Sequence, residues 1–197
     1  ERSKTVFLSN LPGLAYKCKY DRNGTMLIVS EGCRELTGYP PESFVNNRDL
    51  SFNSIIEPEF RESLFAEWER TVPNRLPYHC EYAITTAEGK RKWVLENGQG
   101  IYGDDGEAMA LEGIIFDISD RKEMENHLLH ISEHDKLTGF YNRDYLEQLL
   151  KKDTGKGDGK KRAVISINLS TVQLLTANYG FHYTQDLIIS AAECLKG

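Results

Sequence analysis

The amino-acid sequence predicts a mixed α+β fold for residues 1–119, with an antiparallel sheet that carries helices on one face. Two observations indicate this fold. Apolar and polar residues alternate before residue 30 and again after residue 77, which is typical of strands. Between these regions the apolar spacing becomes helical and is broken by glycine and proline. Two strands, a helical insert and three further strands therefore predict a five-stranded antiparallel sheet.

The individual elements follow from local patterns. Alternation from Leu14 to Tyr20, a turn at 21–24 and an apolar run at 26–29 predict a β-hairpin. Short helices are expected across 31–71, and the last one carries an apolar face made by Phe60, Leu64, Phe65 and Trp68. Three strands should follow, running from Tyr78 to Ile84, through Trp93 and Leu95, and from Ala108 to Ile118.

A helix is predicted directly after the last strand. Asp120 and Glu123 have the spacing of a capping box, which predicts that the helix starts at this point. Met124, Leu128 and Ile131 follow at spacings of four and three, the seam of a short coiled coil. A single helix lying across its own domain is the alternative.

The remaining residues predict an α/β segment. A helical pattern covers 138–150, a polar and glycine-rich loop covers 151–162, and a short strand covers 163–169. Two more helices are expected at 172–179 and 185–195. The chain begins with Glu1 and ends within a predicted helix, so we expect a segment of a longer protein.

Composition narrows the classes of partner. A net charge of -6 and a pI near 5.5 argue against nucleic acid and against an anionic membrane surface. No apolar run reaches the roughly 20 residues that span a bilayer, so no membrane contact is expected in this segment. The four cysteines, Cys18, Cys33, Cys80 and Cys194, lack zinc-site or disulfide spacing and predict a reduced, cytoplasmic protein.

Four short segments occur in an informative order: Leu11–Gly13, Glu35–Tyr39 (ELTGY), Arg91–Val94 (RKWV) and Gly113–Ser119 (GIIFDIS). Together they make residues 10–125 resemble a PAS domain with its PAC half. The resemblance implies a sheet and helices that enclose a small cavity, used to sense a ligand or to dimerise. It also implies that Asp117, Ile118 and Ser119 form the exit motif, where the Ser119 hydroxyl can join the strand end to the emerging helix.

The PAS resemblance leaves the ligand unidentified, and an unknown small molecule stays open. A flavin photoreceptor needs a cysteine in an NCRFLQ-like helix, whereas Cys33 lies in EGCREL, so flavin is not expected. Haem is not expected either, because the only histidine of this region, His79, stands at a strand start as an ordinary sheet residue. His127, His130 and His134 could gather a metal between two helices, but we favour a solvated polar stripe without metal.

The segment EHDKLTGFYNR at 133–143 resembles the opening motif of a GGDEF domain, the family that makes cyclic di-GMP from GTP. The matching residues are Asp135, Leu137, Thr138, Gly139, Asn142 and Arg143, with Phe140 replacing the usual leucine. Residues 136–197 therefore resemble the N-terminal part of such a domain. The chain stops before a GGDEF signature, so we expect no complete enzyme and assign no catalytic residue.

Three metal- or guanine-binding positions depart from the GGDEF pattern, when residues are aligned on Tyr179 and Gly180. The metal-binding carboxylate of the family falls on Asn168, whose neutral amide lacks the anionic oxygen that Mg²⁺ requires. The guanine-reading residues fall on Thr176 and Gln185, and a glutamine amide points donors at the donors of guanine. The resemblance therefore implies a degenerate GGDEF-like domain.

We interpret the chain as a sensory and dimerisation module of a bacterial-type cyclic di-GMP signalling protein. The PAS domain at 1–119 would pass its state through a linker helix at 120–135 to the GGDEF-like segment at 136–197. The expected transmission residues are Asp117, Ile118, Ser119, Asp120, Met124, Leu128 and Ile131. Expected partners are a second copy, held by the PAS domain and the linker helix, and a downstream phosphodiesterase domain in the parent protein. Two alternatives are the regulatory part of an active diguanylate cyclase and a PAS module that only pairs subunits.

Overall fold

The computed structural model describes residues 13–154 and 172–196. It divides into two compact units, Glu1–Glu123 and Met124–Gly197. Leu11, Pro12, Asn168 and the predicted strand at 163–169 lie outside the described residues. Within the described ranges, no helix has the length and apolar character needed to cross a membrane.

The first unit contains the predicted five-stranded antiparallel sheet. Its strands are β1 (Leu14–Lys19), β2 (Met26–Val29), β3 (Tyr78–Thr85), β4 (Arg91–Tyr102) and β5 (Ala108–Asp117). They lie in the order β2-β1-β5-β4-β3, so β1 pairs with the last strand and occupies an interior position. This arrangement brings the start of the sheet beside its end, where the chain leaves toward the linker.

Four short helices form the insert: α1 (Gly32–Thr37), α2 (Pro41–Phe44), α3 (Phe52–Ile55) and α4 (Pro58–Thr71). Proline at the first helical position of α2 and α4 suits these starts, since its missing N–H would have no helical partner there. Gly38 ends α1 in a left-handed conformation, with φ of 78°, that a residue with a side chain would rarely adopt.

The core of the first unit lies between one sheet face and the insert helices. Alternate strand residues point inward, so Leu14, Tyr16 and Cys18 are buried while the residues between them are more exposed. The helix α4 closes the core with its apolar face, where Leu64 and Trp68 are buried. The core is therefore built by the alternation and helical spacing seen in the sequence.

The described residues of the second unit are mainly helical. The helix α5 (Ser119–Glu133) begins in the first unit, and α6 (Arg143–Thr154), α7 (Val172–Tyr179) and α8 (Phe181–Lys196) follow.

Several predicted helix boundaries were wrong. The helix predicted from Thr138 begins at Arg143, because hydrogen bonds to Asp135 and Asn142 make residues 135–142 a turn. The same helix continues to Thr154, four residues into the predicted loop. Gly180, with φ of 87°, separates α7 from α8, and α8 starts at Phe181 rather than at Gln185.

The predicted capping box at Asp120 is also wrong. The helix α5 starts one residue earlier, so Asp120 lies inside its first turn. Ile118 accepts the first helical bond, from the backbone N–H of Lys122, at 3.0 Å. The Asp120 carboxylate is still placed where it interacts favourably with the positive end of the helix dipole.

Candidate sensory site and its exit

A carboxylate is buried in the core of the first unit. Glu96 of β4 is 2% exposed, and each of its oxygens accepts a hydrogen bond from a tyrosine hydroxyl. Tyr82 donates to Oε2 at 2.6 Å, and Tyr16 donates to Oε1. The Tyr78 and Tyr16 hydroxyl oxygens lie 2.7 Å apart. We call Tyr16, Tyr78, Tyr82 and Glu96 the core polar cluster.

Strand register assembles the core polar cluster. In the β3–β4 ladder Cys80 pairs with Glu96 and Tyr78 pairs with Gly98, so the tyrosines and the carboxylate share the inward face. Glycine is required at position 98, because a Cβ on Gly98 would overlap the Tyr78 phenol. The ring can therefore lie across the strand and bring its hydroxyl to Tyr16.

Burial controls the electrostatics of this cluster. Desolvation raises the pKa of Glu96, although the hydrogen bonds from Tyr16 and Tyr82 lower it. Desolvation and then the charge of Glu96 raise the pKa of both tyrosines. Within the described part of the chain, no cationic side chain forms an ion pair with Glu96. Among the described residues, the side chains that solvate this carboxylate are the neutral hydroxyl groups of Tyr16 and Tyr82.

A cavity of about 20 Å³ adjoins the core polar cluster. Glu96 and Tyr16 are among the residues that line it, together with Leu64, Phe65 and Trp68 of α4. The enclosed volume corresponds to about one water molecule. Trp68 is 7% exposed, and its Nε1 has no hydrogen-bond partner among the described residues. A buried donor of this kind is costly unless something accepts from it.

The cysteine and the histidines that a flavin, haem or metal site would use lie outside the core polar cluster. Cys33 is buried in α1, where its Sγ lies 3.5 Å from Thr37 Oγ1, and burial raises the pKa of its thiol to about 11. His79 is exposed, and its Nδ1 lies 2.7 Å from Asn97 Oδ1. His130 and His134 stack with ring centroids 4.1 Å apart. Among the described residues, no group of three potential ligands could hold a metal ion.

The strand exit is joined to β4 by a set of hydrogen bonds. The backbone N–H of Trp93 donates to Ser119 Oγ at 3.0 Å, and the Trp93 carbonyl accepts from the N–H of Ile118 at 2.8 Å. Asp117 Oδ1 accepts from the N–H of Ser119 at 2.9 Å, and its Oδ2 pairs with Lys92 at 3.0 Å. The structure therefore places the predicted exit residues in one hydrogen-bonded group.

The Trp93 side chain connects this exit to the helical insert. Phe60 of α4 packs edge-on against the indole, with centroids 5.4 Å apart. The Lys122 ammonium of α5 lies 5.4 Å from the same ring, and Arg91 lies 4.9 Å from it. Lys122 also pairs with Glu81 of β3 at 2.7 Å. We call this group the exit junction.

Exposed apolar residues run along α5 after the exit junction. Met124 and Leu128 are 67% and 60% exposed, and Ile131 is also exposed. Leu129, which the spacing argument left out, is exposed as well. These residues form an apolar surface on the linker helix, and its role in a coiled coil stays a prediction.

The predicted opening motif at 135–143 forms a corner between α5 and α6. Asp135 Oδ1 accepts from the N–H of Leu137 and from both the N–H and the hydroxyl of Thr138, at 2.8 to 3.2 Å. Gly139 has a φ of 69°, which explains glycine at this position. Arg143 pairs with Glu147 at 2.9 Å along α6. These contacts give Asp135, Thr138 and Gly139 local structural roles.

Asn142 completes this corner. Its Oδ1 accepts from the N–H of Tyr145 at 3.0 Å, which caps α6, and its Nδ2 donates to the Ser132 carbonyl at 2.7 Å. Its own N–H donates to the Glu133 carbonyl at 2.8 Å. One side chain therefore connects the end of α5 to the start of α6.

Two of the three departing positions lie in the helical pair α7 and α8. Thr176 donates to the Val172 carbonyl at 2.9 Å and lies 3.1 Å from the hydroxyl of the buried Thr184. Gln185 is half-buried directly after Thr184. The polar group of Thr176 is therefore satisfied within its own unit.

Comparison with known proteins identifies the first unit. Residues 26–115 match the family described as PAS fold. Residues 26–115 form a PAS domain. The solved PAS domain of a Colwellia psychrerythraea protein is 19% identical to this chain, covers 61% of it and 98% of its own length, and superposes with a TM-score of 0.54.

Two curated relatives extend the comparison. Uncharacterized protein y4lL of Sinorhizobium fredii is 27% identical over 163 residues, which are 79% of this chain and 19% of that protein. Methyl sulfide methyltransferase-associated sensor of Methanosarcina acetivorans is 32% identical over 103 residues, which are 52% of this chain and 10% of that protein. This chain thus spans about a fifth and a tenth of their lengths.

Sequence reasoning missed the residues that give this PAS domain its polar core. Glu96 was not singled out, nor was Lys122 at the exit junction, and Tyr78 and Trp68 were predicted only as a strand residue and a residue of an apolar helix face. One signal was present, because Glu96 stands between Val94 and Gly98 at positions that alternation assigns to the inward face.

Proposed function

We propose that this chain is the sensory and dimerisation module of a cytoplasmic cyclic di-GMP signalling protein. The observation that carries this proposal is the exit junction, where Trp93 contacts the helical insert, the sheet and the first turn of α5. A PAS domain without a signalling role would have no need for a residue that contacts both the helical insert and the outgoing helix. The name of the Methanosarcina relative, a sensor, supports the same class.

The contacts define a route for the signal. The helix α4 lines the cavity with Leu64 and Trp68, and one turn earlier it packs Phe60 on Trp93. A shift of α4 on ligand binding would move the indole and so change its contact with Lys122 at the start of α5. The ligand must favour one of two arrangements of this junction, since only differential affinity can shift their populations.

Dimerisation would use the apolar surface of α5. Met124, Leu128 and Ile131 are exposed in the single chain, and a second copy would cover them. Homodimers of this type present the same surface on both subunits, so a change in α5 would act on both output segments together.

The output segment is proposed to be GGDEF-like and regulatory rather than catalytic. The hydrogen-bonded corner from Asp135 to Asn142 supports a defined connection between α5 and α6. Thr176 and Gln185 offer guanine no carboxylate, which argues against GTP turnover. A downstream phosphodiesterase domain of the parent protein is the proposed partner of this segment.

Sedimentation of the whole chain tests the dimer. Leu128→Glu would place facing carboxylates in the apolar surface and should weaken dimerisation by about tenfold or more. Met109→Glu is the matched control, because Met109 is equally exposed but lies on β5 of the PAS domain. A dimer that survives Leu128→Glu unchanged would contradict the proposal.

Hydrogen exchange tests the route through the exit junction. Trp93→Leu should speed amide exchange at 119–123 while the sheet stays protected, since the Phe60 and Lys122 contacts are lost. Ser63→Ala on α4 is the control, because Ser63 only bonds the Phe60 carbonyl on an exposed surface. Unchanged exchange at 119–123 in Trp93→Leu would show that the junction transmits nothing.

A further inference from the structure

Charged groups hold the first turn of α5 to the sheet. Glu81 of β3 contacts two consecutive residues of this helix: its Oε1 lies 2.5 Å from the Arg121 guanidinium, and its Oε2 lies 2.7 Å from the Lys122 ammonium. Hydrogen bonds from Lys122 and then from Arg121 lower the pKa of Glu81, which keeps this carboxylate ionised. Both oxygens of one carboxylate therefore bind a single turn of helix.

Apolar packing contributes little to the attachment of α5. None of its residues, Ser119–Glu133, is buried. The Lys122 side chain is 25% exposed, and every residue at 123–132 is exposed. The helix α4, in contrast, is fixed by the buried side chains of Leu64 and Trp68. The start of α5 is therefore held mainly by polar and charged contacts.

Strand register places Glu81 beside Trp93. In the β3–β4 ladder Glu81 pairs with Leu95, and Ala83 pairs with Trp93. Glu81 and Trp93 are therefore diagonal neighbours on one face of the sheet. The Lys122 ammonium contacts both of them, at 2.7 Å from the carboxylate and 5.4 Å from the ring centroid. A displacement of the indole thus acts on a cation that Glu81 also holds.

We infer that Glu81 is an electrostatic latch for the linker helix. In the docked arrangement the carboxylate binds Arg121 and Lys122, and in the released arrangement both cations leave it while Ser119 still bonds β4. This inference rests on the proposed sensory function and describes how its output is regulated. Salt screens charged contacts at a protein surface, so the docked fraction falls as ionic strength rises.

Amide exchange at 119–123 in the whole chain measures release of the latch. Sodium chloride at about 0.1 M and about 1 M gives Debye lengths of about 10 and 3 Å. After correction for the effect of salt on a free peptide of residues 117–125, wild type should exchange about threefold to tenfold faster at the higher salt, as expected for the screening of two exposed ion pairs. Glu81→Gln should exchange faster than wild type by a similar factor at the lower salt and should respond little to added salt. The Lys92–Asp117 pair remains in both proteins and is screened less, because the Lys92 side chain is only 18% exposed.

Glu67→Gln is the matched control. It removes the same charge, and Glu67 also pairs with an arginine, but that partner is Arg70 of the same helix, α4. Exchange at 119–123 in this control should equal that of wild type at both salt concentrations. Arg121→Gln gives a second variant and should also speed exchange. The double variant of Glu81→Gln and Arg121→Gln should show less than the product of the two single effects, because both changes remove the same contact.

The latch is refuted if Glu81→Gln leaves exchange at 119–123 unchanged, if Glu67→Gln speeds it equally, or if Glu81→Gln keeps the full salt response of wild type. A double variant that shows the full product of the single effects would also count against it. The sensory proposal depends instead on Trp93→Leu. A salt-sensitive latch combined with no effect of Trp93→Leu would uphold the latch and contradict the route from the insert, and the reverse result would uphold the route alone.

Discussion

Replacing Tyr82 by phenylalanine removes one of the two hydroxyl groups that solvate the Glu96 carboxylate. The ring remains, so the packing of β3 against the core is kept. Tyr82 donates to Glu96 Oε2 at 2.6 Å in a fully buried position. Hydrogen bonds to charged groups contribute about 1.5 to 3 kcal/mol, and we expect Tyr82→Phe to lower the free energy of unfolding by that amount.

The expected cost of Tyr82→Phe depends on pH. Burial raises the pKa of Glu96 above its unfolded value, and the Tyr82 hydroxyl opposes part of that rise. A carboxyl group whose folded pKa is raised loses stability as the pH rises, because the folded state must give up a proton that it holds more tightly. Without the hydroxyl, the pKa of Glu96 rises further. The cost of the variant should therefore be small near about pH 4, where the carboxyl is largely protonated in both states, and should grow as the pH rises.

Urea titrations followed by tryptophan fluorescence measure this cost. Both tryptophans of the chain, Trp68 and Trp93, lie in the PAS domain, so the signal reports the unfolding of that domain. Tyr102→Phe is the matched control, because Tyr102 donates to the neutral Val72 carbonyl at 2.7 Å and should cost about 0.5 to 1.5 kcal/mol at every pH. Equal costs for the two variants at about pH 8, or no pH dependence for Tyr82→Phe, would refute an ionised Glu96 in the core.

Two further predictions concern the glycine in the sheet and the corner after α5. Gly98→Ala should lower the free energy of unfolding by about 1 to 3 kcal/mol in the same urea assay, because the added Cβ would displace the Tyr78 ring. A cost below about 0.5 kcal/mol would mean that the ring has room to move. Asn142→Ala should cost about 1 kcal/mol of local stability and speed amide exchange at 143–146, whereas Asn142→Asp should keep the cap of α6; equal exchange in both variants would show that the cap contributes little.

The strands and helices that follow from a regular spacing of apolar residues were predictable from the sequence. Alternation in β1 and β3 and the helical spacing of Phe60, Leu64 and Trp68 place these residues on the faces that the structure buries or packs. The exit at Ser119 was also foreseeable, since its hydroxyl acts on a strand that the sheet order brings beside it.

Features that depend on side chains from distant segments were not predictable. Glu96 stands 80 residues from Tyr16 and 14 from Tyr82, so the core polar cluster exists only once the strand register is known. The helix boundary at Arg143 was missed for a local reason. The Asp135 carboxylate bonds the next residues into a turn, and apolar spacing carries no information about such bonds.

The corner formed by Asn142 has a geometric consequence for whatever follows it. Its amide and its backbone N–H bind the last turn of α5, and its Oδ1 binds the first turn of α6, so the angle between these helices cannot change without breaking those bonds. The helix α6 has 12 residues and therefore extends about 18 Å from the corner. Loss of the Asn142 side chain would remove two of those bonds and so release the direction of α6 from that of α5.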